Sequence, residues 1–300
     1  MSKNCIVCAS NNLIYFAKKD GYDFLTCKEC ALIFIDPMPD ANTLISDFYS
    51  KKAGYHAHAT KDMGTIKTGN KKIALIANKL SELKFRGNLL DVGCSYGEFL
   101  FLAKKIGFTA YGVEVNKDTS DIAISNGFTV FNGTLESAKF ESNYFSVIYL
   151  GDVIEHVTNP DILLQECHRI LKKGGVMVVA TPNTDCFWVR AIGLLCRLCK
   201  FPWSTLIPPY HVFIFSKANA TKFLEKFGFG VLEITYRSCL LRHELGSTKL
   251  LRDFLNKKSF KTMAYMVVVF SSYVIVYGIS ILTKVFLKKD YEMIIFANKQ

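Results

Sequence analysis

Acidic side chains are in short supply in this chain. It carries 26 Asp and Glu against 37 Lys and Arg, a formal net charge of +11. That deficit excludes steering toward basic partners and favours an acidic one, either nucleic acid or anionic lipid. An apolar stretch is missing at the N-terminus, where "MSKNCIVCASNN" has no apolar core segment. The expectation is no secretory signal. The ten cysteines then read as thiols or metal ligands rather than disulfides. The low hydrophobic content of a disordered chain is absent as well. At 300 residues and 50% hydrophobic, there is material for one large domain with an appendage, or for two.

The cysteines are not scattered. "CIVC" supplies Cys5 and Cys8, and "CKEC" supplies Cys27 and Cys30. Two residues between thiolates let a tight turn aim both sulfurs at one ion, and two such knuckles complete a tetrahedral shell. The intervening "LIYFAKKDGYDFLTC" reads as strand, Asp-Gly turn, strand. With all four positions filled by protein, the expected Zn²⁺ is structural. Residues 1–39 are therefore expected to form a zinc ribbon, closed by the two prolines of "IDPMPD". Residues 40–86 read as a helical linker, clearest over residues 71–83.

A third glycine is missing from the next motif. "GNLLDVGC" is a buried-strand pattern through Asp91. Gly93 and Gly97 bracket a turn, "EFLFLAKKIG" continues as a helix, and "TAYGVEVN" is the following strand. Such a unit places a nucleotide-like ligand at the strand ends. Ser95 stands where the dinucleotide fingerprint G-x-G-x-x-G has its central glycine, so close approach of a pyrophosphate is not provided for. Glu114 ends the second strand, where a carboxylate accepts hydrogen bonds from ribose hydroxyls. Further strands over residues 146–150, "VMVVATPN", "VLEITYR" and "YEMIIFANK" alternate with helical patterns. One of these, "DILLQECHRILKKGG", is expected to end at Gly174 and Gly175. The alternation implies an α/β, doubly wound sheet over residues 87–300.

The stretches "LLDVGCSYGEFL", "YGVEVN", "YFSVIYLGDVIEHV" and "ILKKGGVMVVATPN" resemble the class I S-adenosylmethionine-dependent methyltransferases, in particular the ubiquinone-biosynthesis O-methyltransferase branch. The N-terminal segment resembles the zinc ribbon fused to many such enzymes. The resemblance implies a Rossmann-like seven-stranded sheet whose last strand inserts between the fifth and sixth. It implies S-adenosyl-L-methionine as cofactor. Asp91 and Gly93 border its methionine end, with Cys94 beside them, and Gly97 shapes the turn. Glu114, followed by Val115, holds the ribose. Thr134 and Leu135 stand at the adenine, where Thr134 departs from the family's usual acid. Leu150 and Gly151 end the fourth strand beside the methyl donor.

Asp152, Glu155 and His156 in "GDVIEH" fall where the ubiquinone-type enzymes bind a divalent cation. They admit three readings: a Mg²⁺ site, a general base at His156, or a structural helix start. His211 in "PPYHVFIFS" is a second candidate base, and His56 a weaker one.

Two segments exceed a minimal enzyme of this kind. Residues 186–210 hold Arg190, Arg197 and Lys200 and no acid. They read either as an interfacial amphipathic helix or as a substrate lid. Residues 262–283 carry no charge and are flanked by lysines on both sides. Their length meets the spanning criterion. The lysine flanks and the need to return "YEMIIFANK" to the sheet argue for an in-plane helix or re-entrant hairpin instead. The expected function is methylation of a small, glycan or lipid-linked hydroxyl at an anionic membrane surface, on its cytoplasmic inner face. The alternatives are an RNA methyltransferase gripping nucleic acid through the ribbon and the basic surface, or a cofactor-binding protein without catalysis.

Overall fold

A computed structural model describes residues 4–45, 70–199, 206–237, 267–268, 271–272, 274–279, 281–282 and 290–300. His56 and much of residues 262–283 lie outside the described residues. The chain divides into two compact units. The first comprises Met1–Pro37, Pro182–Ala220 and Thr235–Met293. The second comprises Met38–Thr181, Thr221–Ile234 and Ile294–Gln300.

In the first unit β1 (Leu13–Lys19) and β2 (Tyr22–Cys27) form an antiparallel hairpin. Its turn residues Asp20 and Gly21 both have positive φ, 48° and 88°. An Asp-Gly pair adopts that conformation readily, and its twist suits the two strands. β3 (Ile33–Asp36) extends the sheet on β2.

The next elements lead into the second unit. Asp40 caps the short α1 (Ala41–Thr43), its carboxylate accepting the Thr43 N–H at 2.8 Å. Asn70 caps α2 (Lys71–Glu82) in the same way. The buried face of α2 carries Ile73, Ile76, Ala77 and Leu80, the spacing of one helical stripe, with Lys72 among them.

Within the second unit β4 (Gly87–Val92), α3 (Glu98–Lys105), β5 (Phe108–Glu114), α4 (Lys117–Ser125) and β6 (Thr129–Asn132) follow as parallel strands with crossing helices. β7 (Phe145–Gly151) then pairs with the other side of β4. α5 (Pro160–Ile170) leads to β8 (Leu171–Pro182) beside β7. Here the structure departs from the expected helix end. α5 stops at Ile170, and Gly174 and Gly175 lie within the strand. Leu171 pairs with Phe145 and Val176 with Val147, so residues 172–175 bulge from the ladder. The buried Leu171 adopts extended backbone, ψ 136°, and this outweighs the glycine stop signal.

α6 (Phe187–Cys199), in the first unit, turns Val189 and Ile192 inward and leaves Leu194 exposed. β9 (Phe213–Ile214) pairs with β3, so the ribbon sheet has the order β1-β2-β3-β9 and takes its fourth strand from far along the sequence. α7 (Lys217–Lys226), β10 (Phe229–Arg237) and β11 (Glu292–Lys299) complete the chain. The larger sheet has the order β10-β11-β8-β7-β4-β5-β6. As expected, the last strand sits between the fifth and sixth. β11 buries Ile294 and Phe296 in the same core as Leu89, Val147 and Val178. Fully burying each such side chain contributes about 1.5–3 kcal/mol.

The strand order reverses between β4 and β7. A doubly wound sheet opens a crevice at such a point, outside the carboxyl ends of the strands.

Candidate functional site

A cavity of about 670 Å³ occupies that crevice in the second unit. Its floor begins where β4 ends. Gly93 (φ +74°) donates its N–H to the Val113 carbonyl at 2.8 Å, tying the turn to β5. A Cβ there would come within 2.9 Å of Val153 Cγ2. Gly97 (φ +93°) starts α3, and a Cβ on it would meet the Phe128 ring at 2.7 Å. Both glycines are required by conformation and by space.

Glu114 closes the turn from the β5 side. One carboxylate oxygen accepts the Ser95 N–H at 2.8 Å and the other the Asn116 N–H at 2.7 Å. Burial pushes its carboxyl above the ordinary carboxylate range, while the bonds from Asn116 and Ser95 oppose that shift. Each oxygen keeps a further lone pair for a ligand hydroxyl.

Of the residues expected at a cofactor, Gly93, Glu114, Val115, Thr134, Leu135 and Gly151 line this cavity. Asp91, Cys94, Gly97 and Leu150 are not part of its lining. Asp91 is buried at the end of β4. Its carboxyl is held well above the usual range by burial and by the Glu114 charge. The Cys94 side chain packs on β5 at Gly112, and burial pushes its thiol up. Leu150 is fully buried in β7.

Past Gly151 the chain turns through Asp152 at φ +55°, with its N–H on the Ala180 carbonyl at 2.9 Å. Asp152 and His156 line the cavity. Glu155 is 1% exposed, its carboxylate buried beside Thr181. Burial, and then the nearby Asp152 charge, raise its carboxyl well above the ordinary value. His156 Nε2 lies 4.0 Å from Glu155 Oε1, too far for a hydrogen bond.

Among the described residues Asp152 belongs to no group of three ligand atoms close enough to share an ion, and its carboxylate pairs with Lys72. Lys72 is the residue that the sequence reading missed. Its signal was a lysine on the apolar stripe of α2. His211 belongs to the first unit, buried just before β9, with its N–H on the Ile207 carbonyl at 3.0 Å.

Among the described residues no Lys or Arg lines the cavity, whereas Glu114, Glu136 and Asp152 do. Such walls disfavour phosphate and suit a ligand that is cationic or neutral and carries a ribose. S-adenosylmethionine, with its sulfonium and ammonium and no phosphate, fits this donor set.

In the first unit the four cysteines converge as their spacing requires. Cys5 and Cys30 sulfurs are 3.4 Å apart, Cys8 and Cys27 sulfurs 3.5 Å, and all four lie within 4.8 Å of one another. Tetrahedral zinc with Zn–S bonds of about 2.3 Å sets sulfurs about 3.8 Å apart. The knuckles therefore fit one Zn²⁺. Asn219 Nδ2 donates to the Cys30 carbonyl at 3.1 Å and braces the second knuckle.

Comparison with known proteins agrees with this geometry. A ubiquinone biosynthesis O-methyltransferase from Chelativorans is 28% identical over 112 residues, covering 35% of this chain and 43% of that protein. One from Caulobacter is 32% identical over 102 residues, covering 32% and 40%. The matched stretch spans less than half the length of either relative. Among solved structures, phosphoethanolamine N-methyltransferase 2 from Haemonchus contortus, in complex with S-adenosyl-L-methionine, superposes with a TM-score of 0.54. The match is 15% identical and covers 89% of this chain and 61% of that one. At that identity the likeness concerns the fold alone. The family model described as a methyltransferase domain matches residues 66–234, more than half of the chain, and the chain belongs to that family, the class I S-adenosylmethionine-dependent methyltransferases.

Proposed function

We propose that this protein methylates a small, glycan or lipid-linked hydroxyl at an anionic membrane surface, with S-adenosylmethionine as donor. The observation that carries the methyltransferase reading is the Glu114 carboxylate, oriented by two backbone N–H groups at the rim of a cavity where the described residues offer no cation to a phosphate. Bound there, S-adenosylmethionine supplies a methyl group already activated by its sulfonium. The chain contributes mainly position. Glu114 would accept the ribose hydroxyls, and Gly93 would border the methionine end. Leu135, with Val115, would pack on the base, and Gly151 would border the donor. In-line orientation supplies most of the rate of such a transfer.

A hydroxyl acceptor must lose a proton. His156 lines the cavity and has an imidazole suited to take it. The cysteine cluster is read as a structural zinc centre, in a ribbon of residues 1–39 ahead of a linker and the methyltransferase domain.

The membrane reading rests on residues 267–282. The described residues there are helical, and Val267, Val268, Ile275 and Leu282 are each more than 60% exposed. Exposed apolar side chains at that density, between lysine-rich flanks, match an interfacial segment. Among the described residues no helix is long and apolar enough to cross a membrane.

The test supplies methyl-labelled S-adenosylmethionine with separate pools of membrane lipid, soluble glycan and RNA, and follows the label by mass spectrometry. Label on a lipid or glycan oxygen is expected. Label in RNA alone would overturn the acceptor reading. No label in any pool, with cofactor retained, would leave a binding protein.

A further inference from the structure

We infer that Lys72 is a positioning residue for the cofactor cavity, an inference that rests on the methyltransferase reading above. Lysine is rarely buried unless paired. Lys72 is 6% exposed on the apolar face of α2, between the N-cap Asn70 and Ile73. Its ammonium forms an ion pair with the Asp152 carboxylate, reaching 80 positions along the chain. Asp152 is the residue that turns the chain out of β7 in the left-handed region, unfavourable for a side chain with a Cβ. It also forms part of the cavity wall.

The pair therefore does two things. It fixes a strained residue at the end of β7, beside Gly151 and against Val153. Val153 in turn lies close over Gly93. It also places one positive charge amid an excess of acids, because Lys72 acts electrostatically on Asp91, Glu98 and Glu155 as well as pairing with Asp152. Without it, the Asp152 charge would lose its partner beside the buried Glu155, and the wall at Asp152 would relax.

The ionic contact to the other edge of α2 gives a control. Lys79 pairs with Glu233 at 2.8 Å, half exposed and away from the cavity lining.

The experiment measures S-adenosylmethionine affinity by calorimetry and steady-state kinetics for Lys72→Met, Lys72→Arg, Asp152→Asn, the double variant Lys72→Met/Asp152→Asn, and Lys79→Met. Lys72→Met should weaken cofactor binding roughly 10- to 100-fold, the scale of a hydrogen bond between charged groups, and raise KM far more than it lowers kcat. Lys72→Arg should recover much of that loss. The double variant should lose little beyond either single change, and Lys79→Met should match wild type. Folded Lys72→Met with wild-type affinity overturns the inference. Should Lys72→Met not fold, wild-type affinity in Asp152→Asn overturns it equally. Wild-type protein that binds no S-adenosylmethionine overturns the functional reading instead. The double-mutant cycle on ligand-free melting temperature then still decides the pairing, since a coupling of zero removes it.

Discussion

Arg237 and Glu292 are ion-paired, the first ending β10 and the second beginning β11. Residues 238–291 therefore leave and return at one point of the structure. A segment that starts and ends at adjacent strands of one sheet has both ends on the same side of any bilayer. This is a stronger constraint than the lysine flanks alone.

A reporter fused after Gln300 should accordingly appear on the same side of the membrane as one fused before Met1. Anionic vesicles should retain the protein. High salt should weaken the association without abolishing it, because apolar burial persists when charge is screened. Ile275→Asp with Leu282→Asp should lower the vesicle partition constant about 100-fold or more, as each removes an apolar contact worth about 1.5–3 kcal/mol. Unchanged retention would discard the interfacial reading of residues 267–282.

Glu114→Ala should weaken S-adenosylmethionine binding by about 1.5–3 kcal/mol, the range for hydrogen bonds to a charged group. It also strands the Ser95 and Asn116 N–H groups that the carboxylate now receives, so the loop after β4 should lose amide-exchange protection. Calorimetry that returns wild-type affinity would show that this carboxylate does not hold the ribose.

Asp91→Asn should separate stability from binding. Burial, with Glu114 adding to it, raises the folded Asp91 pKa well above its ordinary value, so the native state holds a proton that the unfolded chain releases. The stability from this group is full below the unfolded value of about 3.9 and is lost as pH rises through the folded value. Asparagine stays neutral throughout. The variant should match wild type in acid and melt higher at neutral pH, by an amount on the order of 1.4 kcal/mol for each unit of the shift. Thermal melts from pH 4 to 8 with a constant difference between the proteins would contradict this.

His156→Ala should lower turnover by roughly 10²–10⁴ if the imidazole takes the acceptor's proton, with cofactor affinity little changed. EDTA should leave wild-type turnover intact at short exposure. Loss of turnover restored by Mg²⁺ would instead indicate a catalytic cation.

Protein prepared without chelator should contain one zinc per chain, and Cys5→Ser should release it. The ribbon has too small a core to fold unaided, so metal binding and folding should be lost together. Elemental analysis that finds no zinc in wild-type protein would remove the assignment.

Several features were legible in the sequence because they are local. Cys5, Cys8, Cys27 and Cys30 announce their convergence by spacing. The turn at Asp20 and Gly21 follows from conformational preference. Gly93, Gly97 and Glu114 mark a strand, turn and strand within thirty residues, and the cavity forms there. The place of "YEMIIFANK" beside the fifth strand came from resemblance, since no local signal fixes strand order.

Tertiary structure alone decided the rest. The end of α5 moved from Gly174 to Ile170 because burying Leu171 against β7 outweighs a helix stop. The ribbon acquired β9 from residues 213–214, which pair with residues 33–34 far earlier in the chain. Lys72 reads in sequence as one more lysine on a helix. Its pairing with Asp152 shows only once α2 lies beside the end of β7. Sequence patterns report the energetics of neighbours in the chain, through backbone preference and periodic burial. A lysine on an apolar stripe hints at burial, but its partner 80 residues away leaves no trace in the sequence, because the favourable energy exists only after the fold has brought the two together.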